Sequence, residues 1–187
     1  TFGSCNNLAK LTPQVIKVWA RILQAVPHTR LLLKAKALGD KAVRDRLINA
    51  FTNESIDKER LILRSWITKK SPLSIYNEID IALDPFPYNG TTTLCETLWM
   101  GVPTIVLEGR RHSARVGHSL NSQVGLQGWT APDIDGYVTL ATLRANDVSN
   151  LRRIRESVRD RMKNSSLCDG LAFTEGLELA YAKMCKN

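Results

Sequence analysis

The sequence predicts an α/β fold: one domain over residues 1–187, built on a parallel sheet with helices on both faces. Three observations carry this. Short, mostly apolar runs, such as 31–33, 79–83 and 104–107, recur along the chain, with apolar residues at adjacent positions rather than in strict alternation, as in strands buried on both faces. Between them lie stretches with apolar residues at helical spacing. The length, 187 residues with 43% hydrophobic side chains, suffices for one real core and falls short of two ordinary ones.

The elements follow in order. Thr12-Pro13 is a helix-starting pair, and Val15, Val18, Trp19, Ile22, Leu23 and Val26 repeat behind it at helical spacing. Pro27 ends that helix, and 31–33 is a short buried strand. Asp40 is placed to cap a second helix, with Val43, Leu47, Ile48 and Phe51 on its inner face. Residues 61–63 make the next strand, and Ser71-Pro72 starts a short helix through Tyr76. The strand 79–83 is stopped by Pro85 and Pro87. A helix over 92–100 follows, with Gly101 at its end and Pro103 leading into the strand 104–107. A helix over 113–123, a short strand near Trp129, a helical stretch opened by Pro132-Asp133, and helices over 151–162 and 173–184 complete the chain. The alternation describes a single Rossmann-like domain whose C-terminal helices close one side.

Composition narrows the function classes. The longest apolar runs are strand-length, so no membrane span of ~20 residues is predicted. The formal charge of +8 favours anionic partners, but lysines and arginines are scattered, with no run longer than two. No arginine-aromatic platform or recognised module points to nucleic acid. The four cysteines, Cys5, Cys95, Cys168 and Cys185, form no CxxC pair, so reduced thiols in a cytoplasmic setting are expected. Three dispersed histidines and no acidic pair leave the handling of phosphate metal-independent, with no cofactor. Because the chain opens at Thr1 without methionine, it reads as a fragment of a longer protein.

In such sheets ligands bind beyond the carboxyl ends of the strands. The loop 84–93, Asp-Pro-Phe-Pro-Tyr-Asn-Gly-Thr-Thr-Thr, follows a buried strand and opens a helix. Gly90 allows close backbone approach or a positive φ. Thr91, Thr92 and Thr93 then bring hydroxyls and free N–H groups to a helix start, which is an anion site; alternatively one threonine merely caps the helix. Glu96 lies one turn further on the same face. It can accept paired hydrogen bonds from ribose hydroxyls, or it is an ordinary first-turn acid. The loop 2–13 is expected to follow a strand and to reach the same edge of the sheet, where Lys10 can meet a departing phosphate or sit solvated at the surface. Lys69, after the third strand, is a comparable basic candidate. There is no GxGxxG, GxxxxGK[ST] or HExxH motif.

Residues 80–93 and 96–103, with the opening 2–13 and Arg115-Val116-Gly117-His118-Ser119, closely resemble the C-terminal catalytic lobe of the protein O-linked N-acetylglucosamine transferase family. The bacterial type that carries tetratricopeptide repeats is nearest, and the similarity runs the length of the chain. The resemblance implies the C-terminal half of a GT-B glycosyltransferase, a UDP-sugar donor, a protein Ser or Thr acceptor and inverting transfer. It further implies an N-terminal lobe and helical repeats elsewhere in the same protein, and an isolated lobe that does not transfer sugar. Lys10 matches the lysine that neutralises the departing UDP, and Asn7 a polar position near the same phosphates. Thr92 and Thr93 match diphosphate-binding threonines, Glu96 a ribose contact, and Lys69 a basic position near the nucleoside. Two positions depart from the pattern. Thr91 stands where animal enzymes have histidine, which changes a phosphate or sugar contact. Pro72 stands where many members have a histidine against the uracil, which predicts weaker base affinity. A non-catalytic nucleotide-sugar module and an asparagine glucosyltransferase are the alternatives.

Overall fold

The computed structural model describes residues 1–66 and 72–185. Six strands form one sheet in the order β3-β2-β1-β4-β5-β6, and every neighbouring pair is parallel. They are β1 (Phe2–Ser4), β2 (Leu31–Lys34), β3 (Leu61–Arg64), β4 (Ile81–Leu83), β5 (Thr104–Leu107) and β6 (Thr130–Ala131). The α-helices are α1 (Pro13–Ala25), α2 (Lys41–Thr52), α3 (Thr92–Trp99), α4 (Val116–Gln123), α5 (Ile134–Asn146), α6 (Val148–Lys163) and α7 (Gly170–Met184). This is the doubly wound, Rossmann-like arrangement. Its strand order reverses between β1 and β4, so a crevice opens at their carboxyl ends.

Local chemistry starts the helices where expected. The Thr12 hydroxyl accepts from the Val15 N–H with Pro13 at the first helical position, and Asp40 accepts from Ala42 and Val43. Strand alternation then divides the core. Leu31 and Leu33 enter the larger cluster with Trp19, Phe51 and Ile105, while Leu32 and Ala82 enter a smaller one with Tyr76, Ile79 and Val102. No helix among the described residues is long and apolar enough to cross a membrane.

Several expectations are corrected. Phe2–Ser4 is itself a strand, not part of a loop that follows one, and it is the strand paired to both β2 and β4. Three residues including a glycine and a serine carry too little apolar signal to announce it; pairing on both sides buries all three. The strand expected over 79–83 begins at Ile81, with Ile79 packed in the smaller cluster. The helix over 113–123 divides into a 3-10 turn, His112–Ala114, and α4. The short strand expected near Trp129 is present as β6, with Trp129 itself in the turn just before it. The segment opened by Pro72 is a 3-10 turn, Pro72–Glu78, and Ser71 lies outside the described residues. Finally, α6 closes the domain through Leu151, Ile154, Val158 and Met162, but α7 buries no residue. Its Phe173, Leu177, Tyr181 and Met184 share one helical face and are exposed.

Candidate functional site

The crevice between β1 and β4 is walled by the two loops that leave those strands, residues 5–12 and 84–91. Asn7 caps the short turn Leu8–Lys10 by accepting from the Ala9 N–H at 2.9 Å, and this turn aims Lys10 across the crevice. The Lys10 ammonium donates to the Asn89 carbonyl at 2.8 Å and to Asn6 Oδ1 at 3.3 Å. It also lies 4.5 Å from the centroid of the Tyr88 ring, a cation–π distance. Burial lowers the pKa of Lys10, and the nearby Asp84 offsets part of that. A desolvated cation at the mouth of a crevice interacts more strongly with an incoming anion than a solvated one does.

Asp84, at the end of β4, is fully buried. Its Oδ1 accepts from the Gly90 N–H at 2.8 Å, while Oδ2 is buried without a hydrogen-bond partner. Burial pushes the carboxyl up to about 8, against the opposing pull of the Gly90 N–H and the Lys10 ammonium. The backbone at Asp84 is fastened from below. The Tyr137 hydroxyl donates to its carbonyl at 3.0 Å, and the Trp19 indole N–H donates to Tyr137 at 3.2 Å. Asn89 is also buried, and its Oδ1 accepts from the Gly117 N–H of α4. The loop is therefore held rigidly from both sides.

Gly90 serves close approach rather than positive φ, which is confined to Gly101 and Gly125 among the glycines. A β-carbon on Gly90 would collide with the Thr93 hydroxyl and stand 3.0 Å from both Asn6 Oδ1 and Asp84 Oδ1. The start of α3 is open: its N-cap, Thr91, places no side chain on the first-turn N–H groups, and Thr91 and Thr92 are exposed. Thr93 turns inward instead, donating to Asn6 Oδ1 at 3.1 Å. No threonine therefore acts as a cap here. The first-turn donors and the positive end of the helix dipole face the crevice beside Lys10.

Glu96 lies one turn along α3, and its Oε2 accepts from the Tyr76 hydroxyl at 2.9 Å. Lys69 lies outside the described residues. Of the residues singled out in the sequence, Lys10, Asn7, Gly90, Thr91, Thr92, Thr93 and Glu96 line the two loops or the helix they open. Sequence reasoning passed over Asn6, Asp84, Tyr76 and Tyr88. Asp84 carried a usable signal, an acid at the carboxyl end of an apolar strand, where a ligand edge is expected. Asn6 looked like one polar loop residue among several. A cleft of about 670 Å³ extends from Asn6 and Asn7 past Lys34 and Lys36 to Trp66, within the range of small-molecule sites.

Fold and site together define a doubly wound domain that sets an ammonium and an open helix start at one crevice. The comparisons carry this further: the chain belongs to glycosyl transferase family 41, whose profile matches residues 1–177. A probable UDP-N-acetylglucosamine–peptide N-acetylglucosaminyltransferase of Petunia hybrida, SPINDLY, is 46% identical over 188 residues, covering 100% of this chain and 20% of that protein. A similarly described protein of Arabidopsis thaliana, SEC, is 28% identical over 98% of this chain and 18% of its own length. The chain thus spans about a fifth of these relatives. Among solved structures, a mutant of the Thermobaculum terrenum O-GlcNAc transferase superposes with a TM-score of 0.92 at 39% identity, over 98% of this chain and 35% of that one. Anabaena HepE, solved in complex with UDP and glucose, shares the fold at 12% identity, with a TM-score of 0.66 over 95% of this chain and 47% of its own.

Proposed function

We propose that this chain is the donor-binding lobe of a GT-B protein glycosyltransferase, holding a UDP-sugar by its diphosphate while the sugar passes to a protein hydroxyl. One observation carries the reading: the Lys10 ammonium is hydrogen-bonded to the very loop whose next residues open α3. Two sources of positive potential, one a side chain and one a helix start, converge on one place.

The chemistry follows from charge. As the glycosidic bond breaks, negative charge grows on the terminal phosphate. Preorganised donors beside it stabilise that charge without reorganising. Lys10 is the group placed to do this, with the N–H groups of Thr92 and Thr93 holding the diphosphate and Asn7 and Thr91 at its margins. Glu96 receives the ribose hydroxyls, and the cleft toward Trp66 receives the nucleoside, with Lys69 as a basic neighbour. N-acetylglucosamine is the sugar that the names of the relatives favour. The acceptor is held by parts outside this chain, an N-terminal lobe and tetratricopeptide repeats, and the four free cysteines fit a cytoplasmic setting.

Calorimetry with the chain, EDTA and either UDP or uridine tests the reading. UDP should bind at least tenfold more tightly, on the order of the contribution of one charge-assisted contact. GDP and ADP in parallel measure how far the base contributes. Equal affinity for UDP and uridine, or a requirement for a metal ion, overturns the metal-independent diphosphate cradle.

A further inference from the structure

Tyr76 is 2% exposed, yet the site as described gives it no role. Its ring is set in the smaller core cluster with Leu32, Ile75, Ile79, Ala82 and Val102. Its hydroxyl emerges from that wall at the base of α3. There it donates to Glu96 Oε2 at 2.9 Å and lies 3.5 Å from the Thr93 carbonyl. The Cys5 thiol, at the exit of β1, is also in hydrogen-bonding contact with it. One phenol thus ties three segments: the 3-10 turn Pro72–Glu78, the end of β1 and the first turn of α3.

Resting on the nucleotide-sugar reading above, we propose that Tyr76 is a positioning residue for ribose recognition. Its hydroxyl holds one oxygen of Glu96 so that the other meets the ribose hydroxyls, which sets a preference for ribo- over 2′-deoxyribonucleotides. The argument is geometric. A glutamate has three rotatable side-chain bonds and, if unheld, samples many carboxylate orientations at an entropic cost to any ligand that must fix one. A phenol has two such bonds, and here its ring is locked in the core. With Oε2 engaged, the plane of the carboxylate is set. A carboxylate has about four lone-pair sites, so Oε1 and the free lone pair of Oε2 remain for two ligand hydroxyls. The donor is neutral, so it orients Glu96 and leaves the remaining oxygen sites as acceptors.

The test uses the chain as it is, with UDP, 2′-deoxy-UDP and inorganic pyrophosphate as calorimetric probes. Tyr76→Phe keeps the ring in the core and removes only the hydroxyl. The unaltered chain should prefer UDP to 2′-deoxy-UDP. Tyr76→Phe should weaken UDP about 10- to 150-fold, the range of one hydrogen bond to a charged group, with 2′-deoxy-UDP changed less than about threefold and pyrophosphate not at all. Adding Glu96→Gln to Tyr76→Phe should cost no more than Glu96→Gln alone, because the two act as a unit. An equal loss for all three probes would mean the hydroxyl only supports the fold, and no loss would mean Glu96 needs no positioning; either result overturns the proposal. If the phenylalanine variant does not fold, 3-fluorotyrosine at Tyr76 gives a second readout. Its fluorine resonance should shift more with UDP than with 2′-deoxy-UDP, and equal shifts overturn the proposal. Failure of the unaltered chain to bind UDP or pyrophosphate is a different result, because it removes the nucleotide-sugar reading itself and the proposal with it.

Discussion

The helices that leave the two crevice loops, α1 and α3, both begin at a threonine, but they begin differently. At α1 the Thr12 hydroxyl accepts from the Val15 N–H, and Pro13 removes one of the donors that a helix start leaves bare. That end is closed by its own sequence. At α3, Thr91 places no side chain over the first turn, Thr92 is exposed, and Thr93 is drawn aside to Asn6. What holds this second start in place lies beneath it, where buried Asp84 grips Gly90 and Asn89 grips Gly117. A helix start that is supported from below and left bare on top is available to an anion; one capped from above is not.

The largest expected effect comes from the charge that stands between the two helix starts. In the protein that carries this lobe, Lys10→Ala should lower kcat and kcat/KM together by on the order of 100- to 1,000-fold, the typical cost of losing one preorganised oxyanion donor. A rise in KM alone would make Lys10 a ground-state anchor and leave α3 as the main source of stabilisation.

Next in size is a pH effect of the buried support. Burial pushes the Asp84 carboxyl from its ordinary value near 3.8, which holds in the unfolded chain, up to about 8 in the fold. Between those values the folded chain holds the extra proton, so its contribution to stability is fully present below the lower value and falls as pH rises toward the upper one. Asp84→Asn should abolish this part of the decline. Midpoints of thermal unfolding from pH 5 to 9 read it, and parallel slopes for the two proteins would show that Asp84 does not titrate in this window.

Gly90→Ala should follow. A β-carbon there meets Thr93, Asn6 and Asp84, and overpacking of this kind costs about 1–3 kcal/mol. Both the unfolding midpoint and UDP affinity should drop, whereas unchanged UDP binding would show that the loop backbone can shift without harm to the site.

The smallest pair of effects puts the comparison itself to the test. Thr12→Ala should cost about 1 kcal/mol of stability as a lost cap, with UDP affinity unaltered. Thr92→Ala should leave stability within about 0.5 kcal/mol, as for a surface position, and weaken UDP only slightly, because the backbone donors remain. Chemical denaturation and calorimetry on both variants suffice. If Thr92→Ala destabilised the fold as much as Thr12→Ala, α3 would be a capped helix like α1.

Much of this was legible in the residues alone, wherever the interaction spans a few positions. Caps such as Thr12, Asp40 and Asp133 accept from N–H groups two or three residues on, so their partners are written beside them. The stripe Leu151, Ile154, Val158 and Met162 announces a buried helix face in the same way. The loop 84–93 announces the open start of α3 because Gly90 and the threonines that follow it lie together in the chain.

Other features needed the strands to be brought together. Thr93 and Asn6 are 87 positions apart, and Lys10 and the Asn89 carbonyl are 79 apart. Only the pairing of β1 with β4 makes them neighbours. That pairing also turns Phe2–Ser4 into a strand and helps bury Asp84, which raises its pKa, while the path of the chain through β4 brings the Tyr76 hydroxyl to Glu96. The residues of α7 show the converse: four apolar side chains at helical spacing that no described element covers. The sequence by itself determined most of the helices, their caps and the loop that opens α3, because those depend on neighbours within about one helical turn. The tertiary structure decided which residues meet at the crevice and which acid is desolvated, because burial and long-range hydrogen bonds are set by strand order, which local spacing does not encode.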